Sequence, residues 1–208
     1  MSKWKDLVNK LEGVDESGDF KGLTIGVKPI RIIEVIDNDE KEYLEILFDI
    51  AAGPEKDFFT NKSVNSTWDF NAKFYRSYKD SALSFFKSFI TAVEKSNEGY
   101  SFAKTEGDVS KLVGKVLYAT FENHEIPTVD DEGKPRIVVK INSNKLRSME
   151  AFKEGKIKEP LETDIVKMTS DYDLNKFKEN YNEWVKENKP KETPVTTADV
   201  VDTDDLPF

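Results

Sequence analysis

The chain has 208 residues, of which 38% are hydrophobic, and this length and composition suit one folded domain with additional terminal segments. Cysteine is absent, which excludes disulfide bonds and thiolate chemistry. The net charge of -9 argues at first sight against binding to nucleic acid, but the charge is unevenly distributed: residues 20–150 carry a net charge of -2, whereas residues 187–208 alone carry -4.

The first part of the chain predicts a helix followed by a β-hairpin. Residues 3–12 place apolar side chains at helical spacing before Gly13, and therefore predict a short amphipathic helix. Residues 23–36 are rich in Ile and Val, and residues 43–50 alternate between apolar and polar side chains. Because the polar stretch at 37–40 consists of turn-forming residues, we expect the two segments to form antiparallel strands.

The middle of the chain predicts a short strand, a loop and a helix. Residues 57–60 predict a third strand, whereas residues 61–78 show no clear period and predict a long loop. Asp80 can cap the helix that follows. Its core stripe consists of apolar side chains at helical spacing, namely Leu83, Phe86, Ile90 and Val93, widened by Phe85 and Phe89.

Two further strands are predicted at 113–121 and 136–141, joined by a hydrophilic connection at 130–133. The resulting order of three strands, one helix and two strands matches the five-stranded OB barrel, in which the helix lies between strands 3 and 4. We therefore predict a mainly β fold built on an OB-like barrel with added helices. The same order also suits other small barrels.

The last part of the chain predicts two helices and a tail. Residues 149–155 predict a short helical turn, and an apolar stripe predicts a long helix that begins near Asp173 and ends before Pro190. From residue 188 on, too few bulky apolar residues remain to offset the entropy of ordering the chain. We therefore predict a folded domain over 1–187 and a disordered acidic tail over 188–208. The helical stripe consists of Leu174, Phe177, Tyr181 and Trp184.

The clearest basic stretch spans residues 133–149, which contain five cations and no Asp or Glu. If the odd-numbered residues of the predicted strand face the core, Arg136, Val138 and Lys140 share its outer face. Cations on one face can follow a phosphate backbone. A solvated strand edge that resists aggregation explains the pattern equally well. The candidate nucleic-acid contacts here are Lys134, Arg136, Lys140, Lys145 and Arg147.

A second basic stretch spans residues 62–87, where a net charge of +3 is interleaved with aromatic rings. Stacking on an unpaired base contributes roughly 1–3 kcal/mol, and duplex DNA hides those base faces, so this pattern favours single strands. Phe70 and Phe74 are better explained as core residues, whereas rings with polar groups suit the surface. The candidate contacts here are Lys62, Trp68, Lys73, Tyr75, Arg76, Tyr78 and Lys79.

The end of the chain combines aspartates with a hydrophobic tripeptide. Such a segment suits a basic pocket on a partner protein, because the ring fills the pocket while the carboxylates steer the encounter. The alternative is a solubilising acidic tail that ends in Phe by chance. We favour partner binding because the motif stands at the very end of a predicted disordered segment. The candidate partner-binding residues are Asp202, Asp204, Asp205, Leu206, Pro207 and Phe208.

Residues 204–208, Asp-Asp-Leu-Pro-Phe, resemble the acidic tip of bacterial single-stranded DNA-binding proteins, which usually ends Asp-Asp-Asp-Ile-Pro-Phe. The stretches Lys-Leu-Val-Gly-Lys-Val at 111–116 and Gly-Lys-Pro-Arg at 133–136 resemble OB-fold single-stranded DNA-binding proteins of bacteriophages and mobile elements. The resemblance implies a phage or plasmid accessory of DNA replication, recombination or repair that protects single strands and recruits enzymes through its tip. We expect it in the host cytosol, since no apolar run suits a signal peptide or a membrane span.

Catalytic and cofactor chemistry is not predicted. The single histidine, His124, cannot form a zinc site without cysteines, and no phosphate-binding glycine loop occurs. Asp37, Asp39, Glu40 and Glu42 could hold magnesium for a nuclease, but their place in a predicted turn favours solvation. We therefore predict neither an enzyme nor a metal or cofactor site. The main alternative to a DNA-binding protein is an adaptor that mimics the host tip without binding DNA.

Overall fold

The computed structural model of the protein describes residues 22–62 and 72–188. The chain divides into two compact units. The sheet unit consists of the described parts of Met1–Glu125 and Ile137–Lys167, and the hairpin-helix unit consists of those of Ile126–Arg136 and Met168–Phe208. The helix predicted at 3–12 and the predicted tail beyond residue 188 lie outside the described residues.

The fold is mainly β. Five strands are hydrogen-bonded side by side in the order β3-β2-β1-β4-β5, and a short sixth strand pairs with β4 in parallel. The β1–β2, β1–β4 and β2–β3 pairs are antiparallel. The strands are β1 (Gly26–Asn38), β2 (Tyr43–Ile50), β3 (Lys73–Ser77), β4 (Val116–Val129), β5 (Pro135–Arg147) and β6 (Ile165–Val166).

Four α-helices accompany the strands in the described part of the chain. They are α1 (Phe58–Lys62), α2 (Leu83–Ser96), α3 (Met149–Lys153) and α4 (Asp171–Asn188). Short 3₁₀ helices form at Asp39–Lys41, Asp80–Ala82, Ala103–Thr105 and Val109–Leu112. Among the helical segments within 22–62 and 72–188, none combines the length and the apolar character that a bilayer span requires.

The predicted β1–β2 hairpin is confirmed. Ile30 pairs with Ile50 at its open end, and Asn38 pairs with Tyr43 at the turn. The Asn38 side chain accepts a hydrogen bond from the Lys41 backbone N–H at 3.0 Å, which stabilises the 3₁₀ turn between the strands. A β-bulge between Ile32 and Glu34 interrupts the register and bends β1.

The third strand predicted at 57–60 is wrong, because α1 begins there. Asp49 at the end of β2 is fully buried, and its carboxylate accepts hydrogen bonds from the backbone N–H groups of Phe59 (3.0 Å) and Thr60 (2.9 Å). These are the donors that the first turn of a helix leaves without partners. The third strand lies instead at Lys73–Ser77, within the predicted loop, where it extends the sheet along β2.

The core lies on one face of the sheet, against α2. Period-two alternation buries Leu44, Ile46 and Phe48 of β2 completely or almost so. The predicted helix is confirmed, and it buries Phe89 and Val93, each contributing about 1.5–3 kcal/mol.

Two details of the α2 prediction are wrong. Leu83 and Phe85 are 47% and 56% exposed, so they do not belong to the buried stripe. Asp80 does not cap α2 either. It begins a 3₁₀ turn, and Ala82, which precedes the helix, has no side chain that could accept a hydrogen bond.

The strands predicted at 113–121 and 136–141 are confirmed as β4 and β5, and both are longer than expected. The predicted helical turn after β5 is α3. Ser148 caps it, since its Oγ accepts a hydrogen bond from the Ala151 N–H at 3.1 Å. The Phe152 ring stacks on Tyr118 of β4 with 4.2 Å between ring centroids, which fixes α3 against the sheet.

The sheet is open in the part of the chain that the structure describes. β3 and β5 are the two ends of the hydrogen-bonded path, and no pairing joins them among these residues. The mainly β fold is therefore confirmed at the level of an open, largely antiparallel sheet with helices.

The hairpin-helix unit consists of the β4–β5 turn and α4. Gly133 in the turn has φ +78° and lies directly under the Trp184 ring, where a Cβ atom would come within 2.9 Å of the indole. The Asn180 side chain donates a hydrogen bond to the Pro127 carbonyl. The predicted helix is confirmed, although Ser170 rather than Asp173 accepts the capping bond, from the Asp173 N–H at 3.1 Å.

Candidate nucleic-acid interface

The β3 strand alternates between the core and the outer face of the sheet. Phe74 and Arg76 face the core, whereas Lys73 and Tyr75 face outward. The Lys73 ammonium is 2.9 Å from the Glu45 carboxylate on β2, and this hydrogen bond raises the pKa of Lys73. The charge of Lys73 is therefore compensated within the sheet.

Arg76 is only 7% exposed, although it was a candidate nucleic-acid contact. Its guanidinium carbon lies 5.4 Å from the centroid of the Phe74 ring, and Nη1 donates to the Tyr75 carbonyl at 3.2 Å. Burial lowers the pKa of Arg76 to about 10. The burial of Arg76 favours a structural role within the sheet unit over contact with a ligand at its surface.

The remaining candidates of the 62–87 stretch have different environments. Tyr75 is 49% exposed and packs edge-to-face on Tyr43 with 5.4 Å between ring centroids. The Tyr78 hydroxyl donates to Asp37 at 2.9 Å, and partial burial together with this bond raises the pKa of Tyr78 to about 12. Lys79 is exposed at the surface. Lys62 ends α1, and Trp68 lies outside the described residues.

The cations of the 133–149 stretch fall into both units. Lys134 and Arg136 belong to the hairpin-helix unit, whereas Lys140, Lys145 and Arg147 belong to the sheet unit. Lys134 pairs with Glu132 at 2.5 Å, and this bond raises the pKa of Lys134. Arg136 is exposed on β5.

Lys145 also has a carboxylate partner. Its ammonium lies 2.6 Å from Glu122, whose side chain is only 2% exposed on β4, and the Asn142 side chain donates to the same carboxylate. Lys140 and Arg147, by contrast, have no carboxylate within ion-pair distance in the described part of the chain. Arg147 Nη1 donates only to the Leu146 carbonyl, at 2.7 Å.

Along β5, the positions that face the core change from odd-numbered to even-numbered residues. Ile141 and Leu146 are both buried, and their spacing of five residues requires one interruption of the period-two alternation between them. Lys140, Lys145 and Arg147 therefore all lie on the side of β5 away from the core.

Two clefts adjoin Arg147 in the sheet unit. The strap is the segment of residues 155–164 that connects α3 to β6, and the strap cleft, about 290 Å³, lies beneath it. The helix cleft, about 400 Å³, lies along α2. The strap cleft is lined by Thr120, Lys145, Arg147, Lys156, Ile157, Lys158, Glu159, Pro160 and Asp164, and the helix cleft by Ser84, Lys87, Ser88, Thr91, Ala92, Lys95, Leu146, Arg147, Ser148 and Ala151.

The two clefts carry an excess of cations. Four cations and two carboxylates line the strap cleft, and three cations without any carboxylate line the helix cleft. Some of these charges are compensated: Lys156 pairs with Glu154 at 2.7 Å, and Lys95 pairs with Glu150 at 3.0 Å. Lys87 and Lys158 have no ion pair with the described residues. An anionic ligand would therefore meet uncompensated cations on both sides of Arg147.

Lys156 and Lys158 are not among the predicted contacts, and Lys87 lies in the predicted basic stretch at 62–87 without being a predicted contact. The alternation of Lys156, Ile157 and Lys158 was a visible signal of a one-sided cationic segment. The sequence could not show that Lys156 and Lys158 lie close to β5, because their position depends on how the strap folds back after α3.

In the described part of the chain, no group of three or more His, Asp or Glu side chains is arranged to hold a metal ion. The pKa of His124 is lowered mainly by burial, with Lys140 and Lys145 adding to the shift and Glu122 opposing it. Its Nε2 atom is buried and has no hydrogen-bond partner among these residues.

The fold and this surface together define an open β-sheet protein with a cationic face. Comparison of the sequence with known proteins finds no matching family model and no matching curated protein.

Proposed function

We propose that the protein binds single-stranded DNA, with the phosphate backbone held along Arg147 and Lys140, and that it serves DNA replication, recombination or repair without catalytic activity. The observation that carries the proposal is that these two outward cations of β5 lack carboxylate partners among the described residues. In a protein of net charge -9, uncompensated cations on one face suit a polyanion.

The order of the strands supports an OB-type architecture. Three antiparallel strands precede α2, and β4 returns beside β1 while β5 follows at the edge, which is the chain order of an OB fold. We propose that the open sheet corresponds to the partly open barrel of that class, whose outer surface holds oligonucleotides.

Preference for single strands is supported by exposed rings on the sheet unit. Tyr75 is half exposed on the outer face of β3, with the Lys73 ammonium 5.9 Å from its ring centroid. Phe85 on α2 is also more than half exposed. Unpaired bases can stack on such rings, whereas the bases of a duplex are already stacked on one another.

Recruitment of partner enzymes is a further part of the proposal, and it rests on residue types alone. Asp202, Asp204 and Asp205 with the apolar stretch at 206–208 lie outside the described residues. Their combination of negative charge with a hydrophobic side chain suits a basic pocket on a replication or recombination enzyme.

The test is a titration of labelled oligo-thymidine and of a duplex of equal length at two salt concentrations. We expect tighter binding to the single strand, weakened by salt. The double variant Lys140→Gln with Arg147→Gln should bind the single strand about tenfold more weakly, or about 1.4 kcal/mol. Lys104→Gln, on an exposed 3₁₀ helix, is the control and should bind as the wild type does.

Equal affinity for duplex and single strand would contradict the proposal, as would unchanged binding by the double variant. An adaptor that captures enzymes without holding DNA predicts no binding to oligo-thymidine at all. If the wild-type protein does not bind oligo-thymidine but still captures a replication enzyme, the adaptor hypothesis replaces the present proposal.

A further inference from the structure

The helix cleft differs from the strap cleft in the chemistry of its lining. Its polar side chains are hydroxyls and cations, with no carboxylate, whereas Glu159 and Asp164 line the strap cleft. Hydroxyl and cationic donors together match the acceptor oxygens of a phosphate group. The lining donors are Ser84, Ser88, Thr91, Ser148, Lys87, Lys95 and Arg147.

One wall of the helix cleft is a single face of α2. Ser84, Ser88, Thr91 and Lys95 follow one another at intervals of three or four residues, which places them in a row along the helix. Ala92 and Val93 on the neighbouring faces are buried in the core, so this row has a fixed position against the sheet.

The other wall is the corner between β5 and α3. The Met149 N–H donates to Ser96 Oγ at 2.9 Å, which ties this corner to the end of α2. Ser148 is only 6% exposed. Because its Oγ already accepts from the Ala151 N–H, the serine proton is available for a ligand in the cleft.

The cations of this cleft also retain unused donors. Arg147 donates through Nη1 to a backbone carbonyl and has further guanidinium N–H groups. Lys87 has no ion pair with the described residues. The apolar part of the lining, Ala92, Leu146 and Ala151, suits the sugar that adjoins a phosphate.

We infer that the helix cleft is a phosphate-binding site formed by Lys87, Arg147 and Ser148. The inference rests on the proposed function in one respect, since it takes the phosphate to be one of a bound DNA strand. A free phosphate ion has the same chemistry, and two measurements separate the two sources.

The first measurement uses inorganic phosphate alone. In the ¹⁵N NMR spectrum of the full chain, phosphate should shift the amide signals of Thr91 and Ser148 in a saturable manner, compared with chloride at equal ionic strength. Lys87→Gln should weaken this response at least threefold. The matched control is Lys158→Gln, which removes an unpaired cation from the strap cleft and should leave the response unchanged.

The second measurement uses oligo-thymidine. Lys87→Gln should lower the affinity about threefold and reduce the slope of log affinity against log salt by about 0.7, the value for one phosphate contact on a single strand. A reduced slope supports a backbone phosphate in the cleft, whether or not inorganic phosphate binds there.

The possible failures are distinguishable. If the wild type binds oligo-thymidine, but Lys87→Gln changes neither the salt slope nor the phosphate response, the phosphate site is overturned while the proposed function stands. If phosphate shifts the Ser148 signal but oligo-thymidine does not bind, the cleft is a site for free phosphate and the proposed function fails. If neither ligand binds, both are overturned.

Discussion

Lys145 on β5 donates to the buried carboxylate of Glu122 on β4, with 2.6 Å between Nζ and Oε2. The lysine side chain is 50% exposed, whereas the glutamate side chain is 2% exposed. A residue predicted to contact nucleic acid therefore compensates a charge within the sheet.

Lys145→Met should destabilise the protein by about 2–3 kcal/mol, because it leaves the Glu122 carboxylate buried without its cation. The matched control is Lys134→Met, which breaks an equally short ion pair whose two side chains are 70% and 71% exposed. That change should cost much less stability, because water already screens the charges of an exposed pair. Urea denaturation at pH 7 gives both values, and equal losses would contradict the role assigned to Lys145.

Asp49→Asn should destabilise the protein by about 2–3 kcal/mol, since an amide cannot accept all the bonds that the buried carboxylate receives from residues 50, 59 and 60. Asp108→Asn is the control. The Asp108 carboxylate accepts a hydrogen bond from the Ser110 backbone N–H in the same way, but at an exposed position. The change should therefore cost much less stability, because Asn caps a helix about as well as Asp. Amide hydrogen exchange should show the loss at α1, and unchanged exchange there would contradict this cap.

Gly133→Ala should loosen the hairpin-helix unit, because its Cβ would come within 2.9 Å of the Trp184 ring and its φ of +78° is unfavourable for alanine. Gly114→Ala separates the two effects, since Gly114 has φ +80° with no atom within 4 Å of an added Cβ. We expect a cost of about 1 kcal/mol at Gly114. At Gly133, overpacking should raise the cost to about 2–3 kcal/mol.

Hydrogen exchange of the α4 amides is the measurement that locates the effect of Gly133→Ala. Faster exchange in α4 is expected for this variant and not for Gly114→Ala. Identical exchange in the two variants would show that the Gly133–Trp184 contact does not hold α4 in place.

His124 should titrate below its ordinary pKa of 6.5, because burial disfavours the imidazolium. The folded protein then binds fewer protons than the unfolded chain below about pH 6.5. The free energy of unfolding therefore keeps its full His124 contribution above about pH 6.5, where the imidazole is neutral in both states. This contribution is lost as the pH falls through the pKa of His124 in the folded protein. Because the sequence contains one histidine, the Hε1 and Hδ2 signals of its ring in the NMR spectrum report the midpoint of the titration directly.

His124→Gln is the control for this pH dependence. It should flatten the change in unfolding free energy between pH 7.5 and pH 5 relative to the wild type. An imidazole that titrates at or above 6.5 in the folded protein would contradict the burial argument.

Elements with a clear period of apolar residues could be predicted from the sequence, whereas α1 and β6, which depend on contacts with other segments, could not. The hairpin of β1 and β2, the core of α2 and the stripe of α4 each follow from repeats within one segment. α1 depends on the carboxylate of Asp49, which lies outside the helix, and the two-residue β6 depends on pairing with β4. Neither dependence leaves a periodic signal in its own segment.

The residues of the candidate site likewise divide into those that the sequence alone could indicate and those that only the folded structure reveals. Residue types alone indicated a basic strand at 133–149, and Lys140 and Arg147 of that strand do lie on an outward face with no carboxylate partner among the described residues. Residue types could not show that Arg76 is buried or that Glu122, 23 residues before Lys145, compensates its charge.

Composition and local pattern were thus sufficient to predict a mainly β chain with a cationic fifth strand and two amphipathic helices. The folded chain selected which cations remain uncompensated, because an ion pair depends on distance in space and not on separation along the chain. Folding also joined Arg147 to Lys87 on α2 and to Lys158 on the strap through two adjoining clefts. No period or spacing in the sequence relates these three residues.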